Sequence, residues 1–282
     1  MKVVYRLILM FVFILPIQSF AEIRVPMTFP GRDELILDII ELAMEKSGES
    51  KVIAPSADYY SDARQVEELR QGNLDLIWAG ASSELQEQLQ AIKLPIFKGL
   101  SGYRTFVIAA GTQDRFDGID SIASLKGLKA GLGRFWSDTL ILEASGINVI
   151  KPVKADSLFH MLDGGRFDYM PLGMHESHDV ITLQNGGDVN LALEQNLILA
   201  YPLAMYFYVQ KDNYDLYNKL NDGMEMAISD GSYDELFYNS PLIVNALVNS
   251  NISKREIIYI DNPILPNDVP LERTELWLDI NK

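Results

Sequence analysis

Between Glu22 and Ser229, short apolar runs alternate with stretches of helical periodicity. That rhythm confines the chain to parallel sheets covered by helices on both faces. Glu22–Met27 reads as a strand. Asp33–Lys46 follows as a helix, because Leu35, Ile36, Ile39, Ile40 and Ala43 recur at helical spacing before the stop Ser47-Gly48. Lys51–Pro55 and Leu74–Ala79 read as strands, Asp62–Arg70 and Ser82–Gln90 as helices. A second set runs from Gly127 to Leu172, with strands at Gly127–Gly131, Ile147–Val153 and Phe167–Leu172 around helices at Ser137–Ala144 and Ala155–Leu162. Two longer strands, Tyr103–Ala110 and Leu203–Gln210, join the sets. Tyr214–Ser229 is a helix broken by Asp230-Gly231, and Glu256–Ile260 is one more strand before a proline-rich tail.

Met1–Ala21 carries Lys2 and Arg6, an apolar stretch from Leu7 to Ile17, and Ser19-Phe20-Ala21 before Glu22. These are the three parts of a cleaved secretory signal. The 282-residue chain has a formal net charge of −15 and no cysteine. Cleavage removes two positive charges and leaves a still more acidic protein, which disfavours nucleic acid and anionic membrane as partners. Without cysteine, an exported chain depends on core burial for stability, and 48% hydrophobic residues supply that core. A lipid tether on an N-terminal cysteine is likewise impossible. The expected location is the Gram-negative periplasm.

Two αβ sets linked by two long strands predict two lobes, one from residues 22–108 and 204–282, the other from 109–203, with a two-strand hinge. Ligands of open α/β sheets sit beyond the carboxyl ends of the strands, which here face each other across a cleft.

Six segments in order carry a resemblance: Leu74-Asp75-Leu76-Ile77-Trp78, Leu94-Pro95-Ile96, Gly102-Tyr103-Arg104, Leu125–Gly131, Gly165-Arg166-Phe167-Asp168 and Ser229–Tyr233. Together, behind a signal, they resemble the periplasmic solute-binding proteins of type II topology, and most the branch with the amino-acid-binding proteins of ABC importers (family 3). The resemblance implies an α/β fold of two lobes and ligand capture by closure. Binders of that branch hold the ligand carboxylate with an arginine and its ammonium with an aspartate. The matching stretches here carry Gln86 and Pro171-Leu172-Gly173-Met174, so both partners of a zwitterion are replaced.

Candidate contacts follow from position. Arg104 opens the first long strand where the chain crosses between lobes, beside Tyr103. Its planar fork suits either a ligand carboxylate or an ion pair bracing the hinge. Arg134, Trp136, Ser137 and Thr139 lie at a strand-to-helix turn, where Ser137 reads as the N-cap and the first turn's free N–H groups favour an anion. Asp138 argues against an anion there unless Arg134 neutralises it. Trp78, and less so Tyr59 and Tyr60, offer aromatic surface at the cleft mouth. Glu176 follows the strand Phe167–Leu172 at the cleft edge. His175 and His178 at helical spacing are too few for a zinc site, so neither metal nor cofactor is expected.

No nucleophile–base pattern or phosphate loop is present. The reading is a monomeric binding protein for a small polar molecule, presenting its closed form to an inner-membrane ABC permease or a sensor kinase. Alternatives are an enzyme on the same scaffold, of dehydratase or lytic-transglycosylase type with Glu176 as acid, or an interaction module with a degenerate cleft.

Overall fold

The computed structural model describes residues 22–31, 33–49, 52–134 and 136–279. The signal segment Met1–Ala21 lies outside the described residues. Among the described residues no helix is long and apolar enough to cross a membrane.

The first half holds β1 (Glu22–Val25), α1 (Glu34–Lys46), β2 (Val52–Pro55), α2 (Asp62–Arg70), β3 (Ile77–Gly80), α3 (Ser83–Gln88), β4 (Gln90–Ile92) and β5 (Tyr103–Ala109). Then come α4 (Ile122–Leu125), β6 (Lys129–Gly131), α5 (Ser137–Ala144), β7 (Asn148–Ile150), α6 (Leu158–Asp163), β8 (Met170–Gly173), α7 (Ser177–Asn185), β9 (Leu191–Leu193), β10 (Leu197–Ala200) and β11 (Met205–Val209). Finally α8 (Tyr214–Ser229), α9 (Ser232–Asn239), α10 (Pro241–Ser250) and β12 (Glu256–Tyr259) close the chain.

The strands fall into two groups. In the first, β1 and β2 run parallel, the amides of Asp75 and Leu76 bond the Arg24 carbonyl, and β11 lies antiparallel between β3 and β4. In the second, β6 and β7 are parallel, and a bridge from Ala130 to Tyr169 leads to β8. β5 then pairs antiparallel with β8 on one side and with β9 and β10 on the other, and β10 runs parallel to β12.

These registers differ from the sequence reading in two places. All of β5 belongs to the second sheet, so the crossing falls at Gly99–Gly102 rather than inside the strand. β12 also joins the second sheet, whereas the tail after it returns to the first, where Leu276 and Leu278 are buried. The two crossing segments lie side by side: the Tyr201 amide donates to the Gly102 carbonyl at 3.1 Å. A Cβ on Gly102 would overlap the Tyr201 carbonyl, so the approach requires glycine.

Packing follows the sequence periods. Every apolar position of the α1 stripe is buried: Leu35, Ile36, Ile39, Ile40, Ala43 and Met44. In β11 the period of two divides one strand between two cores. Phe207 and Val209 face the cluster around α1 and α8, while Tyr206 and Tyr208 face one under α2 and α3. Phe106 and Ile108 of β5 enter a separate core with Phe116, Ile141 and Tyr169.

Candidate functional site

Ile77 to Ser82, at the end of β3 and the turn into α3, form one wall of a cleft of about 860 Å³. Phe97 and Met205 line its floor, and Ser137 and His175 reach it from the second sheet's side. A separate side chamber of about 340 Å³ shares no lining residue with the cleft but is lined by sequence neighbours: Trp136 and Asp138 flank Ser137, and Glu176 follows His175. Its walls are apolar, from Phe159, Met170, Pro171, Leu172 and Val180, and Arg104 closes its polar end.

Arg104 is an anchored residue. Its Nη2 lies 2.6 Å from Asp138 Oδ1, its Nε donates to the Tyr201 hydroxyl at 2.9 Å, and its Nη1 is 3.7 Å from Glu176 Oε1. The Tyr201 hydroxyl in turn donates to Asp138. Burial lowers the Arg104 pKa, but the surrounding Tyr201, Asp138 and Glu176 outweigh it and hold the guanidinium charged. Of the two roles open to Arg104 in the sequence, the ion pair is the one observed. Burial pushes the Tyr201 hydroxyl far above its ordinary range, so it remains a protonated donor.

The turn before α5 also departs from expectation. The helix begins at Ser137 with Trp136 as N-cap, and no side chain caps it. Ser137 lies in the first turn, exposed to the main cleft. The anion at this helix start is the protein's own Asp138, neutralised by Arg104 and not by Arg134. Arg134 is exposed and donates from Nη2 to the Lys151 carbonyl at 3.3 Å. Thr139 is buried and donates to the Gly133 carbonyl at 2.9 Å, closing the turn instead of facing ligand. Trp136 lies across Gly133 and lines the side chamber.

Trp78 lines the main cleft, half-buried. Gln86 does not: its amide lies beside Asp268 of the tail and helps hold that carboxylate below its ordinary pKa, behind the stronger effect of Lys93. Tyr103 points to Tyr259 and Tyr238, and burial followed by Tyr259 raises its pKa to about 12. Glu176 Oε1 accepts from the Gly173 amide at 2.8 Å. Tyr59 is 70% exposed and off the cleft lining, and Tyr60 packs in the core beneath α2.

His175 precedes α7 and therefore shares no helical face with the exposed His178. It stacks on Phe97 at 5.9 Å, with Nδ1 buried and without a hydrogen-bond partner. Desolvation lowers its pKa from 6.5, against the pull of Glu176. Its imidazole is therefore neutral in the folded protein, and the stability this adds is lost as pH falls below the unfolded value. Sequence reasoning missed Tyr201, Phe97, Met205, Asn262 and Ile264 as lining or bracing residues. Tyr201 stands 97 residues from Arg104, and no local pattern links them.

No protein-family model matches the chain, and no curated protein sequence matches it. Solved structures do. An ancestral arginine-binding protein bound to arginine superposes with a TM-score of 0.53 at 20% identity, over 78% of this chain and 98% of that one. A Bacillus subtilis protein aligns over 86% of this chain and 97% of its own at 15% identity, TM-score 0.54. A putative binding component of an ABC transporter from Wolinella succinogenes, complexed with lysine, gives 0.54 at 15% identity over 78% and 95%. The chain has the type II periplasmic binding protein fold. The 860 Å³ cleft is lined from both sheet groups, and Leu203 of the second crossing segment borders it.

Proposed function

We propose that the chain is a solute-binding protein that captures a small polar molecule in the cleft between its sheet groups. The observation that carries this reading is the cleft itself, with walls drawn from both groups: Trp78 and Met205 from one, Ser137 and His175 from the other. Ligand touching both walls stabilises only the closed arrangement, which is the physical requirement for capture by closure. Trp78 and Ser137 are the proposed contacts in the main cleft, and Trp136 and Glu176 border the side chamber. The first lobe comprises residues 22–102, 205–255 and the returning tail; the second comprises 103–200 and β12. The mature protein acts in the periplasm as a monomer after cleavage at Ala21, handing its closed form to an inner-membrane ABC permease or a sensor kinase. Solved structures of the same fold that hold arginine or lysine support the solute-binding role.

The test is native mass spectrometry of the freshly purified protein. A stoichiometric small molecule that shrinks the radius of gyration when added back to stripped protein is the expected result. An unchanged radius with saturating ligand removes closure, and turnover of the bound molecule removes the binding-only role.

A further inference from the structure

The side chamber is an apolar cavity with a polar end that its own residues leave incomplete. Phe159, Leu172 and Val180 stand among its walls, and Trp136, 37% exposed, joins them from the helix start. Arg104 and Glu176 lie at the polar end. Arg104 is 8% exposed, yet its Nη1 makes no hydrogen bond among the described residues. Glu176 Oε1, 3.7 Å away, is within ion-pair range and beyond hydrogen-bond reach. A buried charged side chain thus presents an open donor to a cavity whose other walls cannot accept from it.

Size and charge narrow what completes this end. An apolar cavity of about 150 Å³ is enough to hold benzene, so 340 Å³ has room for one ring with short substituents. A carboxylate there would meet Asp138 and Glu176 across a single guanidinium that is already paired, and an ammonium would meet Arg104 itself. A neutral hydroxyl carries both a donor and lone pairs. One oxygen beside the pair can therefore accept from Nη1 and donate to the Glu176 carboxylate.

We propose that the side chamber binds a neutral phenol, its ring against Phe159 and Leu172 and its hydroxyl between Arg104 Nη1 and Glu176. No residue of this chamber lines the main cleft, so the site is additional to the one proposed above and does not rest on it.

Four compounds that share a ring and differ in one group test it: p-cresol, toluene, p-toluate and 4-methylbenzylamine, titrated calorimetrically into the purified protein. p-Cresol is expected to bind at one site per chain, about tenfold or more tighter than each of the others. Toluene loses a hydrogen bond to a charged group, and the other two gain a like-charge contact. In amide NMR spectra p-cresol should shift Phe159, Leu172 and Val180 and leave Ile77 and Ala79 of the main cleft unmoved. Glu176→Gln retains an oxygen for the Gly173 amide but makes the acceptor neutral, and should weaken p-cresol by about fivefold. Toluene, the anion or the amine binding as tightly as p-cresol overturns the inference. So do shifts confined to the main cleft, an unweakened Glu176→Gln variant, and binding of none of the four. The main cleft is judged separately, by the molecule carried through purification.

Discussion

Arg104 shows how one residue type supports two functions until its neighbours are known. At the mouth of β5, a guanidinium is equally suited to a ligand carboxylate or to an internal acid. The deciding groups are Asp138 and Tyr201, 34 and 97 residues away. Because Arg104 is 8% exposed and Asp138 Oδ1 lies 2.6 Å away, truncating the arginine strands a carboxylate in a low-dielectric setting. Arg104→Ala should therefore lower stability by about 3–5 kcal/mol, seen as a reduced urea midpoint at unchanged slope. Adding Asp138→Asn should recover part of the loss, because the stranded charge is gone. A midpoint identical to the parent's would show that the pair contributes nothing to the fold. The sequence made the arginine conspicuous but could not choose its partner. Trp78 and Ser137 were legible as cleft residues because strand ends and helix starts are fixed by local pattern. Gln86 and Thr139 were misplaced because the direction a side chain takes within its turn depends on what packs behind it.

Elements with a strong period were readable almost to the residue. α2 and α8 run over the spans that the sequence predicts, Asp62–Arg70 and Tyr214–Ser229. The short strands β4, β9 and β10 and the helices α9 and α10 were not read. Three or four residues do not establish a period, and α10 is apolar enough on several sides to blur its stripe. Where α1 crosses α8, the contact depends on a residue that periodicity ignores. Gly223 sits among the buried residues of α8, and a Cβ there would overlap the Ala43 carbonyl of α1. Glycine normally costs a helix up to about 1 kcal/mol relative to alanine. Here the close approach reverses that preference, since the backbones of two packed helices would have to separate. Gly223→Ala is expected to destabilise by about 1–3 kcal/mol, measured by equilibrium unfolding. A stabilised variant would mean that the crossing has room that the packing denies.

At the scale of the whole molecule, the chain crosses between its sheets more often than a two-strand hinge requires. After β12 in the second sheet, Asn262 donates to the Pro202 carbonyl at 2.8 Å and Ile264 lines the cleft. Lys93 then pairs with Asp268 at 2.5 Å, and Arg273 grips Glu225 of α8 through two bonds of 2.6 and 2.9 Å. Trp277 finally packs over Gly99, where φ is +71° and a Cβ would overlap the indole, and the Leu278 amide donates to the Lys98 carbonyl at 2.7 Å. The tail is thus a strap from one sheet to the other, fastened beside the first crossing segment. Ile198 and Ile257 add to it, turning one face of β10 and β12 toward the core that contains α9 and α10. In the two-lobe motion proposed above, opening would work against these contacts, so we expect the strap to limit how far the lobes separate without ligand. Trp277→Ala deletes its largest fastening and should cost about 3 kcal/mol. It should also enlarge the radius of gyration of the ligand-free protein in solution scattering while leaving the ligand-bound value near that of the parent. A general loosening of the fold would raise both radii together, and an unchanged ligand-free radius would place the restraint in the two crossing segments alone.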